Sequence, residues 1–354
     1  MTPPLPCLLV VPTGIGCDQG GYAGDALPVA RLLAAASGCL ITHPNVVNGA
    51  SLYWSDPRLQ YVEGWSLDAF ARGELLLRPC RRQRLGLLLD AAIEPDLALR
   101  HRQVFDAAGA TLGLDTGPVL VSDGPVGVEL APAASGSSWG RLRDPGVLLR
   151  AGERLREAGA TAIAVVARFP DDPGSETLSA YRQGSGVDAL AGAEALISHL
   201  LVRHLSLPCA HAPALAPLPP LPSLDPRAAA EELGHTFLPC VLVGLSRAPH
   251  LVPPAAARAG VKVRLVVSHV SPSLTVFAVR GEDHRARPLP TLSSRVPASF
   301  QSPMRSHWPS SWPHGPLLRR VQWTRATNLR DWFRAVKELV QPWAVRVWRP
   351  DPPD

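Results

Sequence analysis

Short apolar runs alternate with helix-like segments through the first 250 residues, and this alternation limits the fold more than any other feature of the chain. The first unit has an apolar run at 7–11, a leucine- and alanine-rich segment at 26–37 that ends at Gly38, and a second apolar run at 39–42. This pattern is typical of a strand, a helix and a second strand. Because such crossovers are right-handed, we expect the two strands to be parallel, with their following loops at one edge of the sheet.

The later elements follow the same pattern, and together they predict an α/β fold with a mainly parallel sheet flanked by helices. The expected strands lie at 85–89, 118–121, 161–169 and 237–245. The expected helices lie at 94–112, 145–158, 187–205 and 226–233. Residues 208–222 contain six prolines, so we expect an irregular connector there.

Apolar content and cysteine usage indicate a globular protein of the cytoplasm. Apolar side chains make up 46% of the 354 residues, enough to bury a sizeable core. No apolar run approaches the ~18 residues that a membrane span needs, and the start of the chain lacks the basic residues of a signal peptide. Six cysteines with no Cys-x-x-Cys pair are too sparse for a disulfide framework, so a reducing cytoplasm is the expected location.

The net charge of +5 is the average of two unlike parts. Residues 1–250 carry 19 basic and 24 acidic side chains, whereas residues 251–354 carry 16 basic and 6 acidic ones. The second part also holds six of the nine tryptophans and none of the six cysteines. We therefore expect an α/β core at 1–250, with two lobes meeting near 115–145 as one arrangement, and an irregular proline-, arginine- and tryptophan-rich segment at 251–354.

Two explanations fit the abrupt change at residue 250. A reading-frame change in a GC-rich gene would alter charge, cysteine and tryptophan content together, and another frame of the coding DNA would then continue the α/β pattern. The alternative is a genuine basic tail that binds nucleic acid or a membrane surface, because arginine and aromatic side chains contact phosphate and stack on bases. We do not expect the acidic core to bind nucleic acid.

Polar residues follow several predicted strands, and ligands of open parallel sheets bind beyond the carboxyl ends of strands. We therefore predict a small-molecule site at that edge. The predicted catalytic residues are His43 as the proton carrier, Asp25 as its partner or a metal ligand, and Asp123. The predicted ligand-binding residues are Gly20, Gly21, Asn45, Asn48, Ser137, Ser138 and Arg168. Aspartate and asparagine are also ordinary turn and cap residues, so each of them has a structural alternative.

Three motifs leave alternatives open. The glycine-rich segment at 14–25 has backbone N–H groups for a phosphate or carboxylate, but it matches neither the dinucleotide-binding fingerprint nor the P-loop. Ser138 lies between Gly136 and Gly140 with the spacing of a serine hydrolase elbow, although no good strand precedes it. Arg168 is a candidate either for anion binding or for a surface ion pair with the acidic residues that follow it.

Three histidines and a cysteine, all residues that can bind metals, fall within 13 residues: His199, His204, Cys209 and His211. A zinc site is one interpretation, but no Cys-x-x-Cys or His-Glu-x-x-His spacing supports it, and a histidine satisfied on its helix is the simpler alternative. A nucleophile pair of Cys209 and His211 lacks an identifiable supporting acid. The identity of any metal or cofactor and the oligomeric state stay open.

Longer motifs give the chain a resemblance to a known family. They are Gly-Ile-Gly at 14–16, Gly-Gly-Tyr-Ala-Gly-Asp-Ala at 20–26, His-Pro-Asn-Val-Val-Asn-Gly-Ala at 43–50, Ser-Gly-x-Ser-Trp-Gly at 135–140, Ala-Val-Val-Ala-Arg-Phe-Pro-Asp at 164–171 and Pro-Cys-Ala-His-Ala-Pro at 208–213. With these motifs residues 8–250 resemble the domain-of-unknown-function family 3326 of cyanobacteria and plastid-bearing plants. The resemblance implies a cyanobacterial cytoplasmic protein and implies no activity.

Two functions therefore compete. The first is an enzyme that acts on a small anionic metabolite, with the glycine-rich loop and Arg168 holding the anion and His43 moving a proton. The second is a non-catalytic metabolite-binding or assembly protein that uses the same pocket, with an incomplete C-terminal half in the case of a frame change.

Overall fold

Most described strands belong to two sheets with mainly parallel pairing and flanking helices, which confirms the predicted α/β class. The computed structural model describes residues 5–10, 27–44, 56–132, 138–171, 176–184, 189–216, 218–225, 228–229, 238–254, 265–270, 273–280 and 285–287. The first sheet has six strands and the second has four. None of the helices in these ranges combines the length and the apolar character that a membrane crossing needs.

The elements are numbered in chain order. The strands are β1 (Leu5–Val10), β2 (Gly38–Thr42), β3 (Leu59–Tyr61), β4 (Leu76–Arg78), β5 (Arg84–Leu89), β6 (Asp115–Val121), β7 (Val128–Pro132), β8 (Ser138–Leu142), β9 (Ala162–Arg168), β10 (Cys209–Ala214), β11 (His250–Val252), β12 (Leu265–Val270), β13 (Ser273–Arg280) and β14 (Arg285–Arg287). The helices are α1 (Leu27–Ser37), α2 (Gly64–Ala71), α3 (Pro95–Leu112), α4 (Pro145–Glu157), α5 (Glu176–Arg182), α6 (Ala191–Leu205) and α7 (Leu238–Leu245).

The six-stranded sheet has the order β14-β13-β12-β1-β2-β3. Strands β12, β1, β2 and β3 are parallel to one another, and Cys7 of β1 lies beside Leu40 of β2 and Leu265 of β12. The parallel pairing of the first two strands was predicted and is confirmed. Gly38 has a φ of 73°, a left-handed conformation that glycine adopts readily, and it ends α1 and starts β2 directly. Since β12 lies beyond residue 250, a boundary there stays a prediction.

The four-stranded sheet has the order β10-β9-β5-β6, and all its pairs are parallel. Alternate side chains of the buried strands pack on opposite faces, so each face has its own apolar core. On one face, Ile163 and Val165 pack with Leu148 of α4 and Leu201 of α6. On the other face lie α3 and α7, whose apolar side chains pack against Leu87, Ala164 and Val166.

Two sequence predictions in this region are wrong. The strand expected at 237–245 is wrong, since residues 238–245 form helix α7; a short run that is apolar all round does not distinguish a buried helix from a buried strand. The expected connector at 208–222 contains strand β10. Its Pro213 has no N–H to donate, but β10 is an edge strand that pairs only with β9, and proline is tolerated at such an edge.

The four-stranded sheet has a topological switch point between β5 and β9. The chain passes from β5 to β6 on one side of it and then returns to β9 on the other side. In between, β7 and β8 form an antiparallel hairpin. Ligands of open α/β sheets commonly bind at such a point, beyond the carboxyl ends of the strands. The side chains at that place therefore decide whether this sheet has a binding crevice.

Candidate functional site

Three histidines and two glutamates gather where the ends of β2 and β3 approach helix α6 and strand β10. Histidine His43 follows β2 and Glu63 precedes α2, while Glu194 and His199 belong to α6 and His211 belongs to β10. We call these five residues the histidine–glutamate cluster. Its members come from both large sheets, so tertiary packing alone brings them together.

Glu63 is the carboxylate at the start of helix α2. Its Oε2 accepts a hydrogen bond from the backbone N–H of Trp65 at 2.7 Å, and its Oε1 accepts one from Ser66 at 2.7 Å. These bonds satisfy two of the N–H groups that the first turn of a helix leaves without partners. Glu63 is only 5% exposed, so the helix start holds a buried carboxyl group in a fixed position.

Gly64 lets two imidazoles approach the start of α2. A Cβ atom at this position would lie 3.0 Å from Nε2 of His199 and 3.8 Å from Nε2 of His43. The first distance is tighter than ordinary contact, so any side chain here would push His199 away. Nε2 of His199 also lies 3.6 Å from Oε2 of Glu63. The glycine therefore leaves room for both imidazoles at the start of α2, with His199 beside the Glu63 carboxyl.

His211 is held from two sides by helix α6. Its Nδ1 lies 2.9 Å from the Ser198 hydroxyl, and its Nε2 lies 3.5 Å from Oε2 of Glu194. The Ser198 hydroxyl also lies 3.2 Å from the backbone carbonyl of Glu194, one helical turn earlier. Ser198 is 2% exposed, so it orients the imidazole from inside the core and is not an accessible nucleophile.

Burial favours the uncharged form of several cluster members. It lowers the pKa of His43 to about 3, with further lowering by His199 and His211, and it lowers the pKa of His199 to about 4, with further lowering by His211. Burial raises the pKa of Glu63 to about 7, against the opposing hydrogen bonds from Ser66 and Trp65. The usual order of acid strength is thus inverted, with neutral imidazoles beside a carboxyl that titrates near neutral pH. This arrangement suits proton transfer.

The inverted pKa values predict how stability depends on pH. The pKa of His199 is about 4 in the folded protein, below its ordinary value of 6.5. The stability that neutral His199 contributes to the folded state is therefore present above about pH 6.5 and is lost as the pH falls toward 4. Glutamine does not titrate. We therefore expect the stability deficit of His199→Gln, measured by urea unfolding, to shrink by about 1–3 kcal/mol between about pH 7.5 and about pH 4.5.

A second variant gives the opposite sign. Glu63 has a pKa of about 7 in the folded protein, above its ordinary value of 4.5. The stability that its protonated form contributes is therefore present below about pH 4.5 and is lost as the pH rises through about 7. Wild type should therefore gain stability relative to Glu63→Gln as the pH falls. Stability differences that stay constant with pH for both variants would contradict the burial of these two groups.

The described residues contain no group of three or more His, Cys, Asp or Glu side chains placed to hold a metal ion. His199 and His211 do approach each other, as the zinc interpretation requires. His204 instead faces Glu153, with 2.6 Å between its Nε2 and a carboxylate oxygen. The described part of the chain therefore gives the zinc interpretation no support.

A small cleft lies next to Glu63, and its cavity volume of about 10 Å³ leaves room for about one water molecule. Its walls are mainly apolar, and its polar groups include the Glu63 carboxyl and the Ser66 hydroxyl. The lining residues are Tyr61, Val62, Glu63, Ser66, Pro208, Cys209, Pro249 and Leu251. The pKa of the buried Tyr61 phenol is raised by burial and further by Glu63 and Glu194, which places this wall near both carboxylates.

Comparison with known proteins identifies the family. A family model described as "Protein of unknown function (DUF3326)" matches residues 6–278. The chain belongs to this family. The resemblance inferred from the motifs is confirmed, and the match ends at residue 278 rather than near residue 250.

A relative of this DUF3326 chain is an uncharacterised lipoprotein of Synechococcus sp. (strain ATCC 27144 / PCC 6301), a cyanobacterium. The two are 64% identical over 245 residues, which cover 69% of this chain and 68% of the relative. The lipoprotein name of that relative contradicts the expected cytoplasmic location, so that expectation is wrong. No solved structure matches the chain.

The predicted site residues of the DUF3326 chain are only partly described. The residues at 20, 21, 25, 45, 48 and 137 lie outside the described ranges, so Asp25, Gly20, Gly21, Asn45, Asn48 and Ser137 stay predictions. His43 lies in the histidine–glutamate cluster. Ser138 begins β8 in an antiparallel hairpin, which is not the strand-turn-helix setting of a hydrolase elbow.

Two further predicted residues lie at strand ends of the four-stranded sheet. Asp123 makes an exposed ion pair with Arg150 at 2.7 Å. Arg168 pairs with Glu94 at 2.9 Å and with Asp171 at 2.6 Å, and both carboxylates raise its pKa. The ion-pair alternative for Arg168 is therefore the one that the structure supports.

The expectation of one shared sheet edge is wrong. His43 follows a strand of the six-stranded sheet, whereas Asp123 and Arg168 belong to the ends of strands in the four-stranded sheet. At the switch point of that second sheet, the carboxylate of Asp90 fills the space between β5 and β9 and accepts three backbone hydrogen bonds. This sheet edge is occupied by structural contacts.

The sequence patterns missed Glu63 and Glu194. Glu63 precedes Gly64 at the start of a helix that has only eight residues, and no motif marks it. Glu194 lies four residues before Ser198 on a predicted helix, which gives a shared face but no partner. His199 and His211 were flagged only as an alternative zinc set, because β10 was not recognised as the strand that carries His211.

Proposed function

We propose that this DUF3326 protein is an enzyme that acts on a small polar molecule by proton transfer at the histidine–glutamate cluster. The observation that carries the proposal is the convergence of His43 and His199 on Gly64 beside Glu63, where an added Cβ would lie 3.0 Å from Nε2 of His199 and 3.8 Å from Nε2 of His43. Buried ionisable groups with shifted pKa values are concentrated at active sites, because catalysis needs them. A purely structural role would not require partly buried imidazoles and a buried carboxyl group to meet at one place.

Glu63 and His199 are the proposed acid and base. The 3.6 Å between Oε2 of Glu63 and Nε2 of His199 is just longer than a hydrogen bond, and a small movement would close it. With a pKa near 7, Glu63 exchanges its proton in the physiological range, while neutral His199 offers a lone pair. His43 keeps its predicted role as a proton carrier, with His199 and His211 as its ionisable neighbours in the cluster.

The charge of the substrate is revised in this proposal. Arg168, expected to hold an anion, is already paired with Glu94 and Asp171. The described site presents the carboxyl groups of Glu63 and Glu194 and has no arginine or lysine among the residues that line its cleft. These features favour an uncharged polar substrate over an anionic metabolite.

The test is consumption of a compound from a cyanobacterial metabolite extract, followed by mass spectrometry. Wild type should deplete at least one compound. His43→Gln and His199→Gln should each slow that depletion by about 100-fold or more, since general acid–base groups contribute about 10²–10⁴ to rates. The matched control is His204→Gln, an exposed histidine on the same helix as His199, which should keep the wild-type rate.

Two results would contradict the proposed enzyme function. One is an extract that wild type leaves unchanged, and the other is equal loss in His199→Gln and His204→Gln. A thermal-shift measurement with the same extract distinguishes an enzyme from a non-catalytic binding protein. A ligand present at 100 times its dissociation constant stabilises the folded state by about 2.7 kcal/mol, so a shift without consumption indicates a binding protein.

A further inference from the structure

Four arginines form a basic surface where the chain passes from β4 to β5. Arg78, Arg81, Arg82 and Arg84 fall within seven residues, and the side chains of all four are exposed. We call these four residues the arginine patch. It differs in charge from the core that carries it, because residues 1–250 hold 24 acidic and only 19 basic side chains.

One carboxylate offsets part of the charge of the arginine patch. Oxygen atoms of Asp115 lie 3.3 Å from Nε of Arg82 and 3.7 Å from Nη1 of Arg84, so these two guanidinium groups are neighbours. Arg78 and Arg81 make no ion pair with any residue that the structure describes. Four arginines and one aspartate leave a net charge of +3 at this surface.

Strand pairing and a buried glutamine bring Arg78 close to the other three arginines. Arg78 lies opposite His250 in the pair formed by β4 and β11. Burial lowers the pKa of His250, and the charge of Arg78 lowers it further. Nδ1 of His250 lies 3.4 Å from Nε2 of Gln83, the residue between Arg82 and Arg84. The arginines are therefore grouped at one place on the surface and not spread along an extended segment.

Two glutamines hold the backbone of this loop in place. The side chain of Gln83 is buried and its Nε2 donates to the Ala248 carbonyl at 2.7 Å, while its backbone N–H donates to the Ser246 carbonyl at 2.7 Å. The Gln60 amide makes two hydrogen bonds with the backbone of Cys80, at 2.9 and 3.2 Å. A backbone fixed in this way lowers the ordering cost when a partner binds.

The chemistry of arginine indicates a partner that carries phosphate groups. Guanidinium groups bind phosphate oxygens through two parallel hydrogen bonds and stay charged at any physiological pH. Residues 78–84 contain no aromatic side chain to stack on bases. Four arginines are also fewer than the roughly 6–10 phosphate contacts of strongly salt-dependent nucleic-acid binders. These features favour the anionic headgroups of a lipid surface over a nucleic acid.

We propose that the arginine patch docks the protein onto a membrane surface that contains anionic phospholipids. Arg78 and Arg81 contact lipid phosphates directly, because no described carboxylate competes for them. Arg82 and Arg84 share Asp115 and add to the attraction at longer range. Such docking is peripheral and electrostatic, and it is independent of the proposed proton transfer.

The test is cosedimentation of the full-length protein with vesicles made of equal parts phosphatidylglycerol and phosphatidylcholine. The variant combines Arg78→Gln with Arg81→Gln, which leaves both ion pairs of Asp115 intact. A basic side chain at an anionic surface strengthens binding about fivefold, so this variant should bind about 25-fold more weakly than wild type. Added salt should reduce the difference, because it screens exposed charges.

The matched control combines Arg102→Gln with Arg141→Gln, which removes the same charge from exposed arginines of α3 and β8. It is needed because residues 251–354 carry 16 basic and 6 acidic side chains, which can also attract the vesicles. The control should bind within about twofold of wild type, since charges beyond the Debye length are screened.

Three results would overturn the proposal. One is wild-type protein that does not bind these vesicles, and another is equal binding by the patch variant and the control. The third is a patch variant that keeps vesicle binding but loses binding to poly(uridine) RNA, because the partner of the arginine patch would then be a nucleic acid.

Discussion

Replacing Asp90 with alanine is expected to lower the free energy of unfolding by about 3–5 kcal/mol. The side chain is 2% exposed and lies at the switch point of the four-stranded sheet. Its Oδ1 accepts from the backbone N–H groups of Ala92 and Val126, each at 3.0 Å, and its Oδ2 accepts from that of Arg168 at 3.1 Å. Alanine would leave these three donors without their carboxylate, and each buried orphan donor costs about 1–3 kcal/mol.

Urea unfolding of Asp90→Ala and Asp123→Ala provides the comparison. Both aspartates follow adjacent parallel strands, but Asp123 is exposed and makes a surface ion pair with the exposed Arg150. Surface ion pairs contribute little to stability, so Asp123→Ala should unfold close to wild type. Similar losses in the two variants would show that Asp90 does not join β5, β6 and β9 as described.

The contrast between these two aspartates shows what a strand-end pattern predicts and what it does not. Asp90 follows the strand predicted at 85–89 and Asp123 follows the one predicted at 118–121, and the two strands pair in parallel. The role of Asp90 depends on Val126 and Arg168, which lie 36 and 78 residues along the chain. Such distant backbone donors leave no local signal, so the same pattern fits a ligand site and a structural cap equally well.

Local patterns predicted most elements of the fold because those elements carry their own signals. Helix α1 ends at Ser37, just before Gly38, and α4 begins with Pro145. Both helix ends follow from the backbone geometry of glycine and proline. Helix α7 carries no periodicity, because it is buried on nearly all sides and packs its Gly244 against the ring of Tyr61. The number of sheets was missed for a similar reason, since local patterns predict strands but not which strands pair.

The candidate site was predictable only where a strand end marked it. His43 was found because it follows an apolar run. Glu63, Glu194 and His211 become neighbours of that region only when the ends of β2 and β3 pack near α6 and β10. The sequence therefore pointed to His43 but not to the Glu63 carboxyl group of the same cluster.

Helix α6 supplies Glu194, Ser198 and His199, so its position decides the geometry of the site. Its first turn lies against Gly140 of the hairpin strand β8. A Cβ atom on Gly140 would lie 2.3 Å from Cβ of Ala193 and 2.6 Å from its Cα. Real Cβ atoms essentially never make such contacts, and the backbone atom at 2.6 Å has no rotamer with which to move aside.

Gly140→Ala is therefore expected to lower the free energy of unfolding by about 3 kcal/mol, the upper part of the usual range for overpacking. It should also displace Glu194, which follows Ala193, and so change the NMR chemical shifts of the His211 ring. The matched control is Gly124→Ala, whose Cβ would meet only Cγ1 of Val147, at an ordinary 3.5 Å. If both variants unfolded like wild type and left the His211 shifts unchanged, the hairpin would not set the position of α6. A destabilised Gly140→Ala with unchanged His211 shifts would mean that the hairpin supports the sheet but not the site.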